Sequence, residues 1–170
     1  MDAQSRRQAI AQRLEQATSP ISATALAGAL AVSRQVIVGD IALLRASGMS
    51  IAATPRGYTL PRELQGLLRT LACRHRADQM LDELNAIVDQ GCTVVNVIVE
   101  HPIYGQLTGP LQLSSRYDVQ QFVSRCQQQA APPLSQLTEG VHLHTISCPG
   151  HEAYLRVCAE LGRMGLLLEE

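Results

Sequence analysis

The run Val141-His142-Leu143-His144-Thr145 is apolar and β-branched at its ends and carries two imidazoles one residue apart. In an extended strand alternate side chains share a face, so His142 and His144 point the same way, roughly 6 to 7 Å apart. That spacing suits two ligands on one ion. Imidazole nitrogen is a borderline donor for zinc, nickel, copper or iron, and a complete site requires two or more further N or O donors from elsewhere in the chain.

Working outward, the residues before and after this strand supply a regular alternation of elements. Residues 67–75 (LLRTLACRH) read as a strand with His75 at its end, and 78–89 as an amphipathic helix with Met80, Leu81, Leu84, Ile87 and Val88 inward. A β-branched strand follows at 93–100, with a turn at His101-Pro102 and a hairpin partner at 107–113. A helix over 116–129 turns Val119, Phe122 and Val123 inward, and Ala130-Ala131-Pro132-Pro133 is a rigid connector into the histidine strand, which Gly140 opens. A last helix over 151–162, with Tyr154, Leu155, Cys158 and Leu161 inward, leads into a terminal strand at 166–169. The predicted class is α+β, and the order β-α-β-β-α-β is that of a ferredoxin-like sheet with an extra α-β. In that sheet the first and fourth strands are neighbours, which places His75 beside His142 and His144. Glu83, on the margin of the sheet-facing side of its helix, completes a candidate site of three imidazoles and one carboxylate for a divalent transition metal.

The length of 170 residues and an apolar fraction of 46% allow one large domain or two small ones. Aromatic residues are scarce, so the cores rest on Leu, Ile, Val and Ala. No apolar run is long enough to span a membrane, and Met1 is followed by polar residues, so the expected location is cytoplasmic with no membrane partner. The five cysteines are widely spaced with no C-x-x-C pair, which favours buried free thiols over disulfides or a thiolate zinc site. The net charge of -1 hides an asymmetry: residues 1–61 carry six Arg against three acids, whereas 62–170 carry eight against twelve. A modest basic bias in the first part is compatible with DNA binding without establishing it.

Residues 1–61 read as a winged helix-turn-helix domain, and 62–170 as a separate domain carrying the candidate metal site, to which the resemblance given below adds effector binding, with 62–67 as a polar connector. An amphipathic helix at 4–17 places Ile10 and Leu14 inward; Ser22 caps a second short helix, and Ser33 a third, to about Ser47, with Val36, Ile37, Ile41 and Leu44 inward. The leading turn of this third helix carries Ser33, Arg34 and Gln35, and Arg and Gln are the side chains able to pair with guanine and adenine edges. Residues 49–60 form a small hairpin wing with Arg56 at its tip, placed to touch the DNA backbone or minor groove. Gly39 lies in mid-helix, where it costs about 1 kcal/mol relative to Ala.

The runs VSRQVIVGDIALLRASG (32–48), TPRGYTL (54–60), IVEHPIYG (98–105), SSRYDV (114–119) and PPLSQLTEGVHLHTI (132–146) together resemble the niacin-responsive transcriptional repressors of the NiaR type, over nearly the whole chain. The last two are the specific ones. The resemblance implies a homodimer on double-stranded operator DNA that represses genes of NAD-precursor biosynthesis or uptake. It implies nicotinate as co-repressor, and nickel or zinc at His75, Glu83, His142 and His144. The chain departs from the family pattern at Gly39, where a longer polar residue is expected. A pyridine carboxylate needs a cation for its charge and a flat wall for its ring, and His101, Tyr104 and Arg116 are the candidates. Two other functions fit the residues alone: a metal-dependent hydrolase, and a metal sensor without an organic effector.

Overall fold

The computed structural model describes residues 1–61 and 65–168, and the chain divides into two compact units, Met1–Glu63 and Leu64–Glu170. The expected connector therefore lies in part, at 62–64, outside the described residues.

The first unit holds α1 (Ala3–Gln16), α2 (Ala23–Ala29), α3 (Arg34–Ala46) and a hairpin of β1 (Ala52–Thr54) and β2 (Gly57–Thr59). Each helix begins where a side-chain oxygen accepts from the backbone N–H three residues on: Asp2 from Ser5, Ser22 from Ala25 and Ser33 from Val36. Ile10, Leu14, Leu26, Ile37, Ile41 and Ile51 form the core, each worth about 1.5–3 kcal/mol when fully buried. Across the top of it, Arg6 Nε donates to buried Asp40 Oδ2 at 2.6 Å and joins α1 to α3. The hairpin is tied back by reciprocal backbone hydrogen bonds between Ile21 and Tyr58.

The second unit contains β3 (Leu67–Arg74), α4 (Met80–Val88), β4 (Thr93–His101), β5 (Gly105–Leu113), α5 (Arg116–Gln128), β6 (Val141–Cys148) and α6 (His151–Arg163). A short 3-10 turn (Ala77–Gln79) leads into α4, and a second (Leu134–Thr138) lies between the expected connector at 130–133 and Gly140, where the sequence pattern suggested no element. The class and the element order are as expected, but the strand order departs from the ferredoxin-like pattern. The sheet is fully antiparallel in the order β3-β6-β4-β5, so the last strand, not the first, is central. Burial explains this. β6 buries His142, His144, Ile146, Ser147 and Cys148, whereas β3 exposes Leu68, Arg69 and Thr70, as an edge tolerates. Pro110, which has no N–H to give a ladder, lies on the other edge strand, β5. The adjacency that mattered survives, since β3 and β6 pair directly, with Cys73 opposite His142 and Leu71 opposite His144.

The expected terminal strand is reduced to a single bridge between Leu167 and Cys73, and Glu169 lies outside the described residues. The helices cover the sheet face bearing Leu71, Cys73 and Ile146, with Leu84, Ile87, Val119, Val157 and Leu161 packed onto it. Val36, Leu81 and Leu155, expected inward, are 36%, 39% and 47% exposed. The stripes that reach the cores run through Ile37 and Ile41, through Leu84 and Ile87, and through Ala153, Val157 and Leu161; the three exposed residues are apolar neighbours outside them.

Candidate metal centre

Four ionisable side chains meet between the sheet and α4. Glu83, on the first turn of α4, is 1% exposed, and His142, His144 and His75 are 3%, 3% and 8% exposed. His142 Nε2 lies 2.9 Å from Glu83 Oε1, while His75 Nε2 and His144 Nε2 lie 2.7 and 3.3 Å from Oε2. Neighbouring imidazole rings stand nearly perpendicular, with centroids 4.8 Å apart in both His75–His142 and His142–His144. The structure thus brings together the four residues that the sequence proposed. Glu83 is not on the margin of its helix, however, but fully enclosed.

The backbone fixes which ring nitrogen faces inward. His75 Nδ1 lies 2.8 Å from the Arg76 carbonyl, His142 Nδ1 2.9 Å from that of Gly140, and His144 Nδ1 2.7 Å from that of Asn96. A carbonyl only accepts, so each Nδ1 carries the hydrogen and each Nε2 of a neutral ring presents a lone pair to the carboxylate. Two of these supports were not legible from residue type. Asn96 lies at an irregularity in the β4 register, and its side-chain Oδ1 accepts from Thr145 N–H at 3.1 Å, leaving its own carbonyl for His144. Gly140 adopts φ +89, and a Cβ there would stand 2.3 Å from the His75 carbonyl oxygen; its own carbonyl also accepts from His75 N–H at 3.3 Å. Only glycine allows this approach.

The electrostatics favour a cation at the centre. Burial raises the cost of the Glu83 charge, but His144, His142 and His75 outweigh it and hold the carboxyl well below its ordinary range. Burial likewise opposes charging His75 and His144, yet Glu83 overrides it and raises both. Without an ion, an ionised carboxylate faces three Nε2 lone pairs, and protons must be taken up to relieve the clash. Charging all three rings would leave a net positive cluster buried, at a cost of several kcal/mol per uncompensated ion. One divalent cation would accept a donor from each of the four groups. Donors held about 2.1 Å from a common ion are separated by about 3.0 to 3.4 Å; the imidazole-to-carboxylate spacings of 2.7, 2.9 and 3.3 Å lie at or just below that range, so the carboxylate and the rings would open by a few tenths of an ångström around it. His75 Nε2 supports the fit: it is buried and, despite its closeness to Glu83, lacks a directed hydrogen bond among the described residues. Imidazole and carboxylate donors suit nickel, zinc or iron, and the ion would act here as a structural or Lewis-acidic centre.

Cys73, one of the cysteines expected to be a buried free thiol, is buried and free and adjoins the cluster. Its sulfur lies with ligand atoms of Glu83 and His142 inside a group whose members are all within 4.8 Å of one another. Burial, and then the Glu83 charge, push its thiol well above the ordinary range. An open cleft of about 630 Å³ reaches the outer side of His75, lined among others by Arg74, Arg76, Gln136 and Glu139.

The proposed effector residues are not assembled into one place. His101 Nδ1 accepts from Ile103 N–H and Tyr104 N–H at 3.2 and 3.3 Å, shaping the β4–β5 turn, and Tyr104 is 73% exposed. Arg116 makes a two-pronged pair with Asp89 at 2.7 and 2.6 Å. Gly105 pairs with His101 and Leu113 with Val94, so Arg116, just past Leu113, lies at the opposite end of the sheet, more than about 20 Å away by strand rise. In the first unit, Arg34 and Gln35 are exposed on the leading turn of α3, Ser33 spends its hydroxyl on the helix cap, and Arg56 is half-buried at the hairpin turn.

Comparison with known proteins agrees with this division. An HTH domain family matches residues 6–59 and a 3H domain family matches residues 68–170. Two relatives align over most of their length. A probable transcription repressor NiaR of Thermotoga maritima is 44% identical over 98% of this chain and 95% of its own. A transcription repressor NadR of Bacillus subtilis is 40% identical over 92% of this chain and 89% of its own. Among the described residues no single helix is long and apolar enough to cross a membrane. The chain belongs to the NiaR-type family of transcription repressors, in which a helix-turn-helix domain precedes a 3H domain.

Proposed function

We propose that the chain represses genes for the synthesis or uptake of NAD precursors, with nicotinate as co-repressor and a divalent transition metal, nickel or zinc, in the second unit. The observation that carries the reading is the enclosed cluster of His75, Glu83, His142 and His144, whose inward lone pairs call for a cation. Its presence in a chain that begins with a DNA-reading fold makes the ion part of a regulator.

The DNA side rests on Arg34 and Gln35, exposed where the leading turn of α3 meets a major groove, with Arg56 on the wing and Ser33 holding the helix start. A homodimer on a two-fold symmetric operator is the arrangement such a helix uses. His101, Tyr104 and Arg116 stay the effector candidates by chemistry, although they lie at two ends of the sheet. The cleft beside His75 offers an organic carboxylate a second approach, with Arg74 and Arg76 on its rim and the ion as anchor. Nicotinate promotes repression only if the DNA-competent arrangement binds it more tightly.

Fluorescence anisotropy of the full chain on a labelled operator fragment tests this. Nicotinate is expected to tighten binding in the presence of nickel or zinc, and a chelator to abolish that gain. Metal-dependent tightening that is indifferent to nicotinate would make the protein a metal sensor instead, and no response to either would remove the regulatory reading.

A further inference from the structure

The sheet forms the floor of the cluster of His75, Glu83, His142 and His144. Cys73 is fully buried and pairs in register with His142, so both side chains rise from the same face, and His75 follows two residues later along the same chain direction. The Cys73 sulfur, a Glu83 oxygen and a His142 nitrogen are mutually within 4.8 Å. Zinc–sulfur bonds are about 2.3 Å and zinc–nitrogen bonds about 2.0–2.1 Å, so one ion spans a sulfur and a nitrogen at most about 4.4 Å apart, and donors within 4.8 Å of one another would have to close onto it. A second observation points to an ion at the same place: His75 Nε2, on a side chain 2% exposed, is directed into the cluster 2.7 Å from Glu83 Oε2 without the alignment of a hydrogen bond.

We propose that Cys73 is a sulfur donor to the ion held by His75, Glu83, His142 and His144, so that the centre is an N3OS site. On binding, the ion replaces the thiol proton, which is released to solvent. A thiolate brings a second negative charge and a soft donor, which favours zinc, nickel or cobalt over hard ions such as manganese or magnesium. The alternative role is a thiol that only donates a hydrogen bond to Glu83, and the two differ in whether a metal–sulfur bond exists. The inference rests on the metal reading above.

Loading the metal-free full chain with cobalt(II) separates the possibilities, because cobalt reports its ligands optically. Wild type is expected to show both visible ligand-field bands and an intense near-ultraviolet sulfur-to-cobalt band. Cys73→Ser is expected to keep the visible bands, lose the near-ultraviolet band and bind cobalt roughly tenfold more weakly. Cys158→Ser, which alters the thiol near Cys73, is expected to retain both. Visible bands without the sulfur band in wild type would overturn the Cys73 assignment while leaving the metal centre intact, and wild type alone decides this even if Cys73→Ser does not fold. A sulfur band that persists in folded Cys73→Ser would also overturn it. Absence of all cobalt bands would remove the metal centre and the assignment with it.

Discussion

The two units handle polar side chains in opposite ways. In the first, α3 turns Arg34 and Gln35 to solvent and buries one acid, Asp40, against Arg6 and Arg7 at 2.6 and 3.6 Å. In the second, one carboxylate and three imidazoles are enclosed, and the carboxylate's ion-pair partners are the imidazoles and not an Arg. An exposed guanidinium needs no internal partner and waits for an external one. A buried carboxylate facing lone pairs has no such freedom, and under the metal reading proposed above an ion meets that need.

Removing the proposed ion is the strongest way to test the contrast. A chelator is expected to lower the melting temperature of the second unit and leave that of the first unchanged, as two transitions in scanning calorimetry. With free metal about a thousandfold above its dissociation constant, the loss corresponds to about 4 kcal/mol. Equal shifts of both transitions would erase the distinction.

A pair of glycines gives the same contrast with opposite signs. At Gly140 a methyl group meets the His75 carbonyl and φ is positive, so Gly140→Ala is expected to destabilise the second unit by about 1–3 kcal/mol and to weaken metal binding, measured by urea unfolding and metal titration. At Gly39 no described atom lies within 4 Å of the added methyl and the backbone is helical. Gly39→Ala is therefore expected to stabilise the first unit by about 1 kcal/mol.

The effect of pH on the metal-free second unit has a definite sign. His75 and His144 are raised by Glu83 in the folded state. Their stabilisation is thus complete below the unfolded imidazole value near 6.5 and is lost as pH rises through the folded values. Metal-loaded protein should show the reverse trend over the same range, because binding requires neutral rings. Parallel melting curves with chelator and with excess zinc, from about pH 6 to 9, check both directions.

The sequence carried much of this, for reasons that differ between residues. His142 and His144 were readable because strand alternation forces them to one face, and His75 because any sheet that pairs the first and last strands brings it alongside. The strand order was not readable. Placing β6 in the centre depends on how much of each strand is buried, and β3 and β6 are both apolar runs in sequence. Glu83 looked like a helix-edge acid because two of its three imidazole partners, His142 and His144, come from 59 and 61 positions away. Gly140 and Asn96 act through backbone carbonyls, which leave no mark in side-chain type. Arg116 was expected near a small ligand, but its partner proved to be Asp89, 27 positions earlier and on the other end of the sheet from His101.

The central claim is that the enclosed histidines and Glu83 hold one divalent ion per chain. Metal analysis of the purified full chain and of His142→Ala, each loaded with nickel or zinc and then desalted, addresses it most directly. The account predicts about one equivalent per chain in the wild type and loss of at least roughly 100-fold in affinity in the variant, leaving it nearly metal-free, with its helix-turn-helix unit still folded by calorimetry. Wild type that retains no metal, or a folded His142→Ala that retains as much as wild type, would contradict it.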